Sequence, residues 1–526
     1  MASYNLLTES WIPILRLDGQ HEQIGLRTAL QEAHLIREVY ADTPLETAAL
    51  NRLLLALYLR VFPEQNDQEK WWDQWDKGTF SPKILGTYFD TWQHRFDLLD
   101  ANRPFYQTPS PLQSDKGTDF VNPIEKLFME EASNNNPVFY VHTSEAQERC
   151  IPLDKAARGL VTFQAYTIGG GVAKPFNFAN APMVGTAIFW LRRQNLLQSL
   201  LMNAPPVQNC RKIVSIREVD LPTWEQPLIT NWEKRIHHGY LDYLTWQSRA
   251  VKLVVKEKDG EYFATAAILH QGNKIEPNVF DDPLVSYKLN KDGERYSLSF
   301  NPDKALWRDS TTFLGIWQNK QGFAPAVLKG LPNDEEFNCI EADVLGMSND
   351  QGTINFLRQE RLPIYAALRR EDALPLYNLL QDLLNYADEQ RENLRFATKV
   401  MCHYLLGAPK DDGNMPDADS GSVSKLIDHF STVPRYWAAL ETPFYEALQN
   451  LAKLDVNNDL FAEDSTALKL EWAEKLFQIA KFTFQQATQI EISDRVWQAI
   501  TEGEKRLKRI AYLRNHRKQK SELLMT

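Results

Sequence analysis

The chain has 526 residues, 43% of them apolar and 11% aromatic, more than one ordinary core holds, so two to four domains are expected. A formal net charge of −11 argues against a free-standing nucleic-acid binder, because phosphate contacts dominate such affinity; it does not exclude a subunit whose neighbours carry the positive field. Cys150, Cys210, Cys339 and Cys402 form no CxxC pair, no signal peptide opens the chain, and no run of about 18 apolar residues occurs, so the reading is a cytoplasmic protein with reduced thiols, no zinc site and no membrane span.

The first 40 residues read as short strands and turns. Thr43-Pro44-Leu45-Glu46 then opens a helix that runs to Phe62. Threonine at the N-cap, proline at the first helical position and glutamate at the third make a capping box. The segment EQNDQEKWWDQWDKG (64–78) reads as a polar helix or a loop. Between about 100 and 360, Gly, Pro and Asn interrupt short alternating runs. AVKLVVKEKDGEYFATAAIL (250–269) reads as two strands joined at Lys-Asp-Gly, and SYKLNKDGERYSLSF (286–300) repeats the device. No fixed-period repeat occurs, which disfavours a solenoid.

Beyond about residue 362, Leu, Ala, Glu, Gln and Lys recur at helical spacing. That spacing predicts helices over 371–407, 423–433, 442–453, 465–489 and 491–520. The polar stretch APKDDGNMPDADSGS (408–422) between them reads as a loop or as disorder. The fold class is α+β: a large mixed domain over 1–362, followed by a helical bundle over 363–526.

Four motifs invite chemistry. YTIGGGVAKPFNFANAPM (166–183) carries Gly169, Gly170 and Gly171 ahead of a lysine. A Walker loop needs Gly-Lys-Ser/Thr at a helix start; here Ala173 precedes Lys174, Pro175 follows it, and the hydroxyl is missing. What remains is a tight turn, or a loop bare enough to lie against a ligand. GMSNDQGTINF (346–356) reads as a hairpin tip whose Asn or Gln could reach base edges. His237-His238 has no metal-ligand spacing, and the loop beginning at Asp455 lacks the glycine and glutamate of a calcium site. EKRLKRIAYLRNHRKQK (504–520) sets Leu507, Ile510 and Leu513 on one helical face with Lys505, Lys508, Arg509 and Arg517 elsewhere, either a solvated face or a track for a nucleic-acid backbone.

NLLTESWIPI (5–14), RPFYQ (103–107), YLTWQSR (243–249) and DDPLVSY (281–287), in that order along the chain, resemble a known family, the large subunit of the type I-E CRISPR surveillance complex Cascade (the CasA family). The resemblance spans the chain and implies a mixed N-terminal domain, a C-terminal four-helix bundle and no catalytic role. It implies partners: the other Cascade subunits, the CRISPR guide RNA, double-stranded target DNA and a helicase-nuclease effector. Guide pairing would read the target while this subunit inspects the flanking motif, the PAM, through the DNA minor groove.

The family's glycine loop falls on Gly169, Gly170 and Gly171, and its glutamine wedge on Gln351, beside Asn349 and Asp350. Its lysine finger falls on Lys274, with Lys252 and Lys256 as alternatives. A loop contacting the guide RNA maps to Phe139, Tyr140, Val141 and His142, where the family pattern has asparagine in place of His142. The paired cysteines of some members are absent, so no zinc and no other cofactor is expected. Minor-groove readout also implies a relaxed PAM preference, since A·T and T·A look alike there. Two competing readings are a metal-dependent nuclease of a defence system, built from Asp, Glu and His that meet only in the fold, and a scaffold with no DNA contact.

Overall fold

The computed structural model describes residues 2–63, 67–109, 121–131, 149–170, 179–204, 220–228, 232–276, 280–315, 322–332, 335–350, 352–408, 410, 414–488 and 493–516. The chain divides into two compact units, Met1–Pro302 with Asn319–Ile364, and Asp303–Gln318 with Tyr365–Thr526.

In the first unit, β1 (Ile12–Arg16) lies between β2 (His21–Ile24) and β3 (Ile36–Val39) in an antiparallel sheet, with α1 (Leu26–Gln31) connecting the outer strands. The capping motif then starts α2 (Pro44–Val61), where the Thr43 side chain accepts the Glu46 N–H at 3.2 Å. Nearly all of α2 is buried, so it is a core helix. The Glu46 carboxyl is buried too, with Arg158 Nε 3.8 Å away, and burial pushes its pKa up to about 7.

The segment 64–78 contains α3 (Gln68–Lys77), capped by Asp67 and ended by Gly78 at φ 64°. Its tryptophans explain why so polar a segment is helical: Trp71 and Trp75 are buried and stack at 5.1 Å, and Trp71 Nε1 donates to the Leu201 carbonyl at 3.0 Å. Next come α4 (Pro82–Trp92), β4 (Val121–Pro123), β5 (Ile151–Pro152), α5 (Leu153–Tyr166), β6 (Ala187–Arg192), α6 (Leu196–Asn203), β7 (Lys234–Arg235) and α7 (Tyr240–Leu244).

The first Lys-Asp-Gly motif joins β8 (Arg249–Lys258) to β9 (Glu261–Gln271). Lys258 pairs with Glu261, and Asp259 and Gly260 take φ of 54° and 84°, the signs that a two-residue hairpin turn requires. β9 also pairs with β4 and β5. After the short β10 (Lys274–Ile275), the second motif joins β11 (Tyr287–Leu289) to β12 (Arg295–Ser297) through a wider loop. There Asn290 Oδ1 accepts the Asp292 and Glu294 N–H groups at 2.9 and 2.8 Å. β13 (Gly322–Phe323) pairs with β11, and β14 (Cys339–Asp350) lies between β15 (Thr353–Tyr365) and β6.

The second unit holds α8 (Ser310–Phe313), α9 (Leu374–Leu406), α10 (Ser420–Phe430), α11 (Thr432–Ala452), α12 (Phe461–Ala487) and α13 (Asp494–Arg506). Aromatic anchors hold it together. Trp307 is fully buried, stacks on Phe444 at 4.4 Å and meets Trp437 edge-on at 5.8 Å. That packing explains why Asp303–Gln318 belongs with these helices, where a single cut after residue 362 leaves it on the other side. Trp472 Nε1 donates to the Leu383 carbonyl at 2.8 Å, and the Tyr436 hydroxyl to that of Ala387 at 3.0 Å.

Two helices differ from the spacing-based prediction. The helix expected over 442–453 begins at Thr432 and runs through Pro443. Buried Tyr436, Trp437 and Leu440 before the proline, and Phe444 after it, hold the helix together despite the lost N–H. The helix expected over 491–520 stops at Arg506 and resumes as helix at 511–516 after a four-residue break. Leu507, Ile510 and Leu513 are all buried, and α9 satisfies the interrupted backbone: Gln390 Nε2 donates to the Lys508 carbonyl at 3.1 Å, and a Glu389 carboxylate oxygen accepts the Ala511 N–H at 2.7 Å. Of the basic residues there, Arg509 pairs with Glu474 at 3.2 Å and Lys505 with Glu502 at 2.6 Å, while Lys508 is exposed and Arg517 lies outside the described residues.

Candidate nucleic-acid interface

The glycine segment leaves the end of α5 and returns at residue 179; 171–178, and so Gly171, lie outside the described residues. The departing and returning chains form a closed neck. The Met183 N–H donates to the Ala165 carbonyl at 3.1 Å, the Ala181 N–H to that of Thr167 at 2.9 Å, and the Gly169 N–H to Asn180 Oδ1 at 2.7 Å. Arg249, at the start of β8, completes it: its Nη2 donates to the Ile168 carbonyl at 3.2 Å and to that of Ala179 at 3.1 Å, one on each side.

Gly170 stands just beyond the neck with φ at 131°, a conformation that L side chains rarely adopt. A Cβ built there meets no described atom within 4 Å, so among the described residues the glycine answers a backbone demand and relieves no crowding.

The returning chain feeds directly into β6. Val184 and Thr186 N–H groups bond back to the Ala181 and Met183 carbonyls, and β6 then pairs with β14 from Ala187 opposite Gly346 to Arg192 opposite Glu341. The approach is close: a Cβ on Gly346 would lie 2.3 Å from the Thr186 carbonyl oxygen. β14 continues past this register to Asn349 and Asp350, at the end of its hairpin with β15. Asn349 is half-buried, and a Cβ on Gly185 would sit 3.4 Å from its side-chain oxygen; Asp350 is exposed. Gln351, at the tip, lies outside the described residues. The neck and the hairpin end therefore meet through one ladder, though 180 and 349 are far apart in sequence.

Lys274 is reached from the other side of the neck. Arg249 pairs with Gln271 across β8 and β9, Gly272 lies so close that a Cβ would fall 2.4 Å from the Arg249 nitrogen, and the Asn273 N–H donates to the Gln247 carbonyl at 3.1 Å. Lys274 follows, half-buried, in a parallel bridge with Lys234. Of the alternatives, Lys252 is half-buried on β8 opposite Ile268, and Lys256 is exposed towards the Asp259-Gly260 turn. Phe139, Tyr140, Val141 and His142 lie outside the described residues.

Other candidate groups are absorbed by the fold. His237 is buried with Nδ1 2.9 Å from the Gly239 carbonyl, and burial pushes its pKa down; the His238 N–H donates to Asp242 at 2.8 Å. Among the described residues, no group of three or more His, Cys, Asp or Glu side chains gathers as a metal ion would need, and no helix is long and apolar enough to cross a membrane. Sequence reasoning missed Arg249, Asn180 and Gln164, all of which build the neck; YLTWQSR carried the arginine, but nothing local says what its guanidinium touches.

A family model for CRISPR-associated protein Cse1 matches residues 5–482, most of the chain. The chain belongs to the Cse1 family. A relative from Thermus thermophilus, CRISPR-associated protein CasA/Cse1, is 28% identical over 481 residues, covering 87% of this chain and 89% of its own. The crystal structure of CRISPR-associated protein Cse1 from Acidimicrobium ferrooxidans superposes with a TM-score of 0.78 at 21% identity, over 99% of both chains. A chain of a CRISPR RNA-guided surveillance complex superposes with a TM-score of 0.74 at 19% identity, over 96% of this Cse1-family chain and 100% of that one. The two structural likenesses are of fold; the family membership agrees with the resemblance carried by NLLTESWIPI and the stretches after it.

Proposed function

We propose that this Cse1-family protein is the non-catalytic large subunit of a type I-E RNA-guided surveillance complex acting in the cytoplasm. In this reading it assembles with the other Cascade subunits and the guide RNA, which Phe139–His142 help to hold. It inspects the PAM of double-stranded target DNA through the minor groove, and it supports recruitment of a helicase-nuclease. The observation that carries the DNA-reading role is the ladder between β6 and β14, which joins the neck of the glycine loop to the end of the Asn349-bearing hairpin.

The chemistry is as follows. The minor groove is about 6 Å wide, so main chain without side chains enters where side chains clash. Gly169, Gly170 and Gly171 present such main chain. Gln351, with Asn349 behind it, wedges into the first base pairs, and unstacking costs a few kcal/mol per step. Lys274 supplies a cation to the groove, and guide pairing then offsets the opened duplex.

A gel-shift assay of the assembled complex tests this reading. Gln351→Ala and Gly170→Asp are each expected to abolish PAM-dependent binding of duplex target. Wild-type binding by both variants rules out the site.

A further inference from the structure

We infer that Arg249 is a positioning residue for the glycine loop: by gripping both sides of the neck it fixes the spacing and orientation of the two strands that carry the loop into duplex engagement. The inference rests on the reading of that loop as a DNA contact.

Three observations carry it. The first is the grip. Nη2 bonds to the Ile168 and Ala179 carbonyls, on opposite sides of the loop, while Nη1 donates to the Ser248 carbonyl at 2.8 Å. A planar guanidinium reaches all three from one position, whereas a lysine ammonium has no such fork.

The second is that Arg249 is itself held rigidly. Gln164 brackets its backbone, with Oε1 accepting the Arg249 N–H at 3.0 Å and Nε2 donating to the Arg249 carbonyl at 2.8 Å. Ser248 Oγ donates to the Gln164 carbonyl at 2.7 Å, and Gly272, just after β9, packs against the backbone. The grip is thus referenced to α5 and to the β8–β9 sheet at once.

The third is its charge. Arg249 is only 7% exposed, and no described carboxylate acts on its charge. Burial alone pushes its pKa down to about 10, so it stays cationic at neutral pH. Burying a charge on carbonyl dipoles without a counter-ion is costly for the fold. A neutral side chain would serve core packing better; a buried cation at the neck of a loop proposed to enter a duplex groove serves binding.

The test uses Arg249→Lys, which keeps charge and loses the fork, and Arg249→Met, which keeps bulk and loses both. The assembled complex is titrated with a closed duplex target bearing its preferred flanking motif, and with the same target whose first protospacer pairs are mismatched open. Amide hydrogen exchange over 165–183 is followed in the free full-length chain. Both variants are expected to lose about tenfold or more on closed duplex, stay within about twofold on open target, and exchange the Gly169, Ala181 and Met183 amides faster.

Equal losses on both targets reduce Arg249 to a fold residue and overturn the inference. So does wild-type exchange, or wild-type closed-duplex binding by the Arg249 variants where Gly170→Asp binds poorly. If Gly170→Asp itself binds closed duplex normally, the DNA reading of the loop fails, and the inference with it; faster exchange in the Arg249 variants then marks that failure as one of the reading, with the grip itself intact.

Discussion

β8 has a glycine corner beyond each end, and the two are built by different means. At Asp259-Gly260 the chain reverses in two residues, both at positive φ, with Lys258 paired to Glu261. Everything that closes this turn lies within a few residues of it. At the other end Arg249 closes a loop of which it is not a part, reaching residues 168 and 179. Gly170 is as conformationally demanding as Gly260, yet the neck of its loop, besides the hydrogen bonds between its own flanks, is tied on both sides by a residue about 80 positions away. A turn closed by its own residues needs only local sequence; a neck tied in addition by a distant residue makes the spacing of its two strands depend on the fold, a dependence that the proposed DNA-reading role would use.

The sharpest way to break this contrast is the smallest side chain at the demanding glycine. Gly170→Ala meets no described atom within 4 Å, so the expected effect comes from forcing φ away from 131°. Binding of closed duplex target is expected to fall by about tenfold or more in a gel shift, because the strain costs on the order of 1–3 kcal/mol. Unchanged binding would show that the loop tolerates redirection.

Gln164→Leu removes the bracket around Arg249 and leaves a buried backbone N–H and carbonyl without those partners. The first unit should lose about 3 kcal/mol in urea unfolding, with binding reduced in parallel.

A buried charge on α2 provides the third test. The Glu46 pKa is raised by burial to about 7. A carboxyl raised in the folded state contributes its stability in full below the unfolded value of about 4.3, and loses it as pH rises through the folded value. Glu46→Gln should therefore gain on the wild type as pH rises from about 5 to about 8, by roughly 2–3 kcal/mol in urea unfolding, with no change in duplex binding. A pH-independent difference would remove Glu46 from the account.

The mildest effect belongs to the local corner. Gly260→Ala should cost about 1 kcal/mol, the left-handed penalty of an ordinary residue, and leave target binding unchanged. A binding defect there would erase the distinction between the two ends of β8.

Much of the fold was legible locally. Thr43-Pro44-Leu45-Glu46 marked the start of α2, both Lys-Asp-Gly motifs marked turns, and the 3.6-residue spacing marked the C-terminal helices. It failed where tertiary contacts outweigh propensity. Pro443 sits inside α11 because aromatics on either side of it are buried, and the basic C-terminal run breaks because Glu389 and Gln390 on α9 satisfy its open backbone. The site was legible in part. Gly170 and Asn349 stood out by composition, but that their segments meet follows only from the β6–β14 register, and Arg249 gave no local sign of its role.

The sequence by itself determined where the chain turns, caps and runs helical, because those choices are made by backbone sterics and hydrogen bonds among near neighbours. It also carried the family, through stretches shared in order along the chain. Only the tertiary structure decided what closes the glycine loop and what stands beside it. Those contacts join α5, β6, β8 and β14 across large sequence separations, and a guanidinium reveals its partners only once the carbonyls it bridges have been brought within its reach.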